Sequence, residues 1–154
     1  MTPGGLPYAA AWLCWAAALL ANGTILLHFA PGLDTGRVLR LAIGAIVGGV
    51  VLLVAAMLGL WAAGAHPTPR DGSLLFSVFF TMVTMAMTNI GNAFFRFAAD
   101  TVTAFHVEHN AANLHRFPIS VLTGHRASLD RVAAMAWSLG AGLMFYGVWF
   151  DMRI

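Results

Sequence analysis

Residues 39–65 read LRLAIGAIVGGVVLLVAAMLGLWAAGA, and from position 41 onward they hold no ionisable side chain. A run of this length exceeds any strand of a soluble core and meets the roughly 20 apolar residues a helix needs to cross a bilayer. Lipid offers the backbone no hydrogen-bond partner, so such a segment must satisfy its own peptide groups as a helix. The alternating pattern of a barrel strand is absent. Three further runs of the same kind cover residues 8–30, 74–97 and 132–150. The sequence therefore predicts an all-α, integral membrane four-helix transmembrane bundle in a single domain, 1–154, with a helical extramembrane connection over 98–131.

Composition agrees. Apolar residues make up 60% of the chain and charged residues 9%, against roughly 25% charged in an ordinary soluble domain. All eight basic residues are arginine, and they are dispersed. No basic run invites nucleic acid, and the arginines read as topology signals. The one cysteine, Cys14, lies in an apolar run and excludes an intramolecular disulfide and paired-thiolate metal sites. No basic segment precedes the first apolar run, which is expected to be a retained span and not a cleaved leader.

The arginine count orients the chain. Arg37, Arg40, Arg116, Arg126 and Arg131 fall on one side, with Arg96 at its boundary; Arg70 and Arg153 fall on the other. The expectation is a cell (inner or plasma) membrane protein with both termini outside and the long third connection in the cytoplasm. Pro31-Gly32 is expected to end the first span and His66-Pro67 the second. Asp71-Gly72-Ser73 is expected to cap the third, and Ser128 and Asp130 to precede the fourth. Gly44 and Gly48 form a GxxxG pair in the second span; Gly140 and Gly142 mark the fourth. Small residues at such spacings let helices approach closely, within the chain or against another.

The third span carries the chemistry. In TMVTMAMTNIGNAFFRFAADTVTAFHVEHNAANLHR (81–116), Thr84, Thr88, Asn92, Arg96 and Asp100 recur at every fourth position. Between Asn92 and Phe117 there is neither Gly nor Pro, and Phe95, Ala98, Val102, Phe105, His109 and Ala112 keep a helical period. The third helix is thus expected to extend beyond the membrane, or to bend near Gly91, and to stop at Phe117-Pro118. A row with a step of four drifts by roughly 40° per step, so the ridge is slanted and does not face one partner throughout. Arg96 and Asp100 are spaced to pair along the helix. With Glu108 they are the candidate catalytic groups. His106, His109 and His115 are the candidate metal ligands, since imidazole binds zinc, iron or copper. No ligand box frames them, because Glu108 points roughly 100° away from His109, and no motif requires a cofactor. Met82, Met85 and Met87 read as core packing.

Gly91-Asn92, Arg96, Val102, Phe105 and Phe117-Pro118 resemble the corresponding stretch of lipoprotein signal peptidase, which also has four spans and a Gly-Asn…Arg motif closing its third. The position of that family's first catalytic aspartate is Ala104 here, and no counterpart of the second follows Pro118. The resemblance therefore implies an arrangement of spans and does not extend to an activity.

Two functions are open at this level. One is a non-catalytic integral subunit or scaffold in an electron-transfer or transport complex, whose partners are the lipid bilayer and other membrane subunits or further copies. The other is a small membrane enzyme or transporter with a polar, histidine-bearing site at the cytoplasmic end of span three.

Overall fold

The structure is a computed structural model and describes Thr2, residues 6–65 and residues 68–151. The expected stop at His66-Pro67 and the topology arginine Arg153 lie outside the described residues. Four helices are long and apolar enough to cross a membrane, and no strand occurs among the described residues. This is the all-α architecture of a multi-pass membrane protein.

Helix α1, Tyr8–Thr24, runs on through a π-helical turn, Ile25–Phe29, and a 3-10 turn, Ala30–Gly32. Helix α2, Thr35–Ala62, starts on Asp34, whose carboxylate accepts from the Arg37 backbone N–H at 2.8 Å. It stops ahead of the expected His66-Pro67. Gly64 takes φ +69°, and the N–H groups of Gly64 and Ala65 return to the carbonyls of Trp61 and Leu60. That is a Schellman cap, which needs a residue tolerant of left-handed backbone.

Helix α3, Pro69–His109, begins earlier than the expected Asp71-Gly72-Ser73 cap. Thr68 is the N-cap, and Asp71 closes a reciprocal capping box by accepting from Thr68 N at 2.9 Å and from its Oγ1 at 2.7 Å. Asp71 thus occupies the third helical position, where a carboxylate reaches back to the cap. The Thr68 hydroxyl bond first, and the Thr68 backbone bond second, hold this exposed carboxyl below its ordinary range. At the other end α3 stops at His109 and not at Phe117-Pro118, and Asn110 leaves helical geometry. Its 41 residues make a rod of about 60 Å at about 1.5 Å per residue, about twice the hydrocarbon thickness of about 30 Å. The helix is unbroken at Gly91, so the extended form and not the bent one is realised.

A 3-10 turn, Ala111–Asn113, and the short helix α4, Ile119–Gly124, lead back to α5, Arg126–Tyr146, which ends in a π-helical turn, Gly147–Asp151. Helix α5 therefore begins before the expected Val132. Ser128 and Asp130 lie inside its opening turns, and His125 at the N-cap makes no side-chain cap bond.

Around the bundle the order is α2, α3, α5, α1: α3 packs on α2 and α5, α1 packs on α5, and α2 is held chiefly by α3. The α1–α5 seam forms the core, with Ala11, Ala18, Ala141 and Phe145 buried along it. Alanines there remove side-chain bulk between the helices. Trp15 Nε1 donates to the Gly142 carbonyl at 2.8 Å, and Leu19 covers the bare Cα of that glycine. At one end of this seam Tyr146 and Phe150 stack, and Trp12 packs on both rings at a tilt.

Candidate functional site

Helix α3 turns a polar strip inward. Ser73, Ser77, Thr88, Asn89 and Asn92 are all buried. The slant expected of the ridge decides which helix each meets. Ser77 Oγ donates to the Val148 carbonyl near the end of α5, at 3.3 Å. Halfway along, Thr88 and Asn89 face Asn22 of α1. Asn22 Oδ1 lies 3.2 Å from Thr88 Oγ1 and 3.4 Å from Asn89 Nδ2, and Asn22 itself has no exposed surface. These are weak bonds with better rivals. Thr88 Oγ1 is 3.0 Å from the Thr84 carbonyl and Asn89 Nδ2 is 2.7 Å from the Met85 carbonyl, so both side chains are already satisfied on their own helix. Asn22 Nδ2 has no partner among the described residues.

One turn further, Asn92 is 1% exposed and its Oδ1 finds no hydrogen-bond donor among the described residues. Arg96 then reaches the end of α1, donating from Nη1 to the Ala30 carbonyl at 2.7 Å and from Nη2 to the Pro31 carbonyl at 3.0 Å. A guanidinium at a helix C-terminus meets carbonyls left without partners and the negative end of the helix dipole. Arg96 does not pair with Asp100 as its spacing allows. Asp100 is taken by Arg126 of α5, at 3.0 Å, and the same Nη2 lies 3.3 Å from Asp130 and donates to the Arg96 carbonyl at 3.0 Å. In-helix spacing permits the Arg96–Asp100 pair, but the α1 carbonyls and the α5 guanidinium are nearer once the bundle is assembled.

Between the ends of α1, α3 and α5 these groups enclose a cavity of about 230 Å³, lined by Asn92, Arg96, Asp130 and Arg131 and walled by Leu26 and Ala134 among others. A second, wholly different space of about 520 Å³ lies between α1 and α2 against α3, with Asn89 as the polar side chain among residues such as Phe29, Leu41 and Met85.

The histidines belong to neither. His106 is half-buried on the projecting part of α3, its Nδ1 has no partner among the described residues, and its ring meets the edge of Phe105. His109 is exposed, stacked on Phe105 with ring centroids 5.3 Å apart, and its Nδ1 is 3.9 Å from Glu108. His115 is exposed on the loop that follows. Among the described residues no three His, Cys, Asp or Glu side chains gather as a metal site. Of the candidate catalytic groups, Arg96 and Asp100 join the arginine cluster, and Glu108 is exposed beyond it. The expected face Phe95–Ala112 is not the packed one on the projection: Val102 and Phe105 are exposed, whereas Ala99 is buried and Thr103 and His106 are half-buried.

Of the packing glycines, Gly142 is in contact with α1, while a Cβ on Gly44, Gly48 or Gly140 would meet nothing within 4 Å. The close approach is elsewhere. A Cβ on Gly91 would fall 2.5 Å from the Trp137 ring of α5.

Neither protein-family models, nor curated proteins, nor solved structures match this chain.

From the sequence Arg126 and Arg131 read as topology signals and Asp130 as a helix-start residue, and they are not assigned to the cluster, nor Asn22 to the contact with Thr88 and Asn89. Signals for them exist. Asn22 is the lone amide in its span, and Arg126 and Asp130 stand one helical turn apart ahead of the last apolar run.

Proposed function

We propose that the chain is a non-catalytic integral subunit or scaffold of a larger membrane assembly of the electron-transfer or transport kind. The observation that carries this is how its polar groups are used. Arg96 is spent on the carbonyls closing α1, and Arg126 joins α5 to α3 while neutralising Asp100 and Asp130. Meanwhile α2 is anchored on α3, with Leu41, Val51 and Leu52 each more than 60% exposed and open ground over Gly44 and Gly48. A helix so placed has a face for another membrane helix, and GxxxG spacing is suited to one. In the proposed orientation the arginine-rich end, with Arg37, Arg40, Arg116, Arg126 and Arg131, is cytoplasmic and the termini are outside.

Native purification in a mild detergent tests the reading. The expected result is a stable complex with other membrane subunits or further copies of the chain. Gly44→Leu with Gly48→Leu is expected to release the partner without unfolding the chain, since a Cβ at either site meets nothing within 4 Å among the described residues. A wild type that purifies as a lone monomer refutes it.

A small transporter or enzyme is the second reading, favoured by the unpartnered Asn92 amide oxygen beside an arginine-lined cavity. Stoichiometric metal in the pure wild type, lost when His106 and His109 are both changed to Ala, decides for it.

A further inference from the structure

We infer that the cavity at the ends of α1, α3 and α5 binds the headgroup of a glycerophospholipid that carries its own hydrogen-bond donors, as phosphoglycerol and phosphoethanolamine do.

Depth comes first. Arg96 is the first charge on α3 after Asp71, α1 ends at Gly32, and on α5 Asp130 and Arg131 directly precede the apolar run that starts at Val132. At the height of the cavity α3 and α5 change from apolar to charged and α1 ends. That is the level at which a bilayer presents its phosphates.

Charge comes second. Arg126 is committed to Asp100 and Asp130, and Arg96 directs its terminal nitrogens at carbonyls and forms no ion pair among the described residues. Arg131 lines the cavity, is exposed, and has no ion-pair partner among the described residues. Three guanidinium groups and two carboxylates leave a surplus of one positive charge, and Arg131 at the rim is the group able to meet a phosphate.

Hydrogen bonding comes third and narrows the ligand. Asn92 lines the cavity at 1% exposure, and its Oδ1 is a buried acceptor without a donor among the described residues, while the Asp130 Oδ1 beside it has only the Arg126 guanidinium at 3.3 Å, already shared with Asp100. A phosphate alone brings more acceptors and leaves the Asn92 oxygen unmet. An ammonium or hydroxyl attached to the phosphate supplies the missing N–H or O–H. The space of about 230 Å³ is far larger than the roughly 30 Å³ share of one water. Leu26 and Ala134, both buried, close it with an apolar wall toward the bundle interior, so the headgroup enters past the exposed Arg131.

The test uses the full chain in detergent, stripped of lipid. It is titrated with dioleoyl phosphatidylglycerol, phosphatidylethanolamine or phosphatidylcholine while the thermal midpoint is followed. Phosphocholine keeps the phosphate and lacks any N–H or O–H. The expected result is a rise in midpoint with a donor-bearing lipid that phosphatidylcholine does not match. Arg131→Gln, at the exposed rim, is expected to weaken that lipid about tenfold with elution volume and circular dichroism unchanged. Asn92→Ala is expected to abolish the preference over phosphatidylcholine, and if it does not fold, Arg131→Gln decides alone. Equal stabilisation by all three lipids, or an Arg131→Gln titration like wild type, overturns the assignment. So does an equal shift with glycerol 3-phosphate or inorganic phosphate, which moves the ligand to the aqueous phase. No shift with any lipid means a water-filled cavity and overturns it as well.

Discussion

Replacing Gly91 by alanine adds one methyl group on the face of α3 that meets α5. That methyl would stand 2.5 Å from Trp137 Cη2, 2.6 Å from Cζ2 and 2.9 Å from Cζ3. Ordinary contact begins near 3.4 Å, so the ring or one of the helices must give way by about 1 Å. Two effects oppose each other. Alanine is a better helix residue than glycine by about 0.8–1.0 kcal/mol. Forcing an extra carbon into an occupied contact costs about 1–3 kcal/mol. Three ring carbons are struck at once, which puts the contact at the upper end of that range, so Gly91→Ala is expected to destabilise by about 1–2 kcal/mol net. Trp137 is 39% exposed, so its ring has an outward route that limits the cost. The assay is a double-mutant cycle read by reversible unfolding in mixed micelles. In a Trp137→Ala background the obstacle is gone, and Gly91→Ala is expected to become neutral or stabilising, with a coupling energy of about 1–3 kcal/mol. Equal destabilisation in both backgrounds refutes the reasoning, because it places the role of Gly91 in the backbone and not under the indole.

Three other outcomes are expected. Arg126→Gln removes a guanidinium only 24% exposed that serves Asp100, Asp130 and the Arg96 carbonyl, and it is expected to cost about 2–3 kcal/mol in the same unfolding assay. A second change, Asp130→Asn, should then cost less in the Arg126→Gln background than in wild type. Asn22→Ala, although it empties a fully buried position, is expected to cost no more than about 1 kcal/mol, since Thr88 and Asn89 keep bonds to their own helix; a loss twice that size contradicts the weak-bond account. Asp71, held below its ordinary range by the Thr68 cap, contributes stability that is complete above the ordinary carboxylate range. That contribution is lost as pH falls through the lowered folded value. Thr68→Val is expected to flatten this acid-side loss in a pH series of melting midpoints, and an unchanged slope contradicts it.

The spans were legible because lipid constrains them so strongly. An uncharged run such as 41–65 has few alternatives to a membrane helix. Helix ends were less legible because the deciding features are a few atoms wide. Proline at 67 looked like the stop for α2, yet the chain turns earlier, where Gly64 can take a positive φ. Aspartate at 71 looked like a cap for α3, yet it is the far partner of a capping box begun by Thr68. Both were present as patterns, G after the last periodic residue and T-x-x-D, and lost to more conspicuous neighbours.

The site was legible on α3 and illegible elsewhere, for a geometric reason. A row spaced by four residues drifts by about 40° per step, so a long helix carrying such a row cannot offer it all to one neighbour. Here it meets the middle of α1 at Thr88, the end of α1 at Arg96 and the start of α5 at Asp100, while Ser77 and Asn89 beside the row meet the end of α5 and the middle of α1. The drift follows from the sequence of α3 alone. The order of partners depends on where α1 and α5 stand around it. That is why Arg96 and Asp100, one turn apart on the same helix, end up bound to different helices. It also explains why the ridge works as a set of separate ties and not as a continuous path. The groups left over from those ties, Arg131 and the Asn92 oxygen, collect where α1, α3 and α5 all end their apolar runs. A chain whose polar residues served only to lock its helices would be expected to satisfy them there, as it does at Arg96 and Arg126. Their unmet valences fall at the one height where a bilayer can supply both a phosphate and a donor.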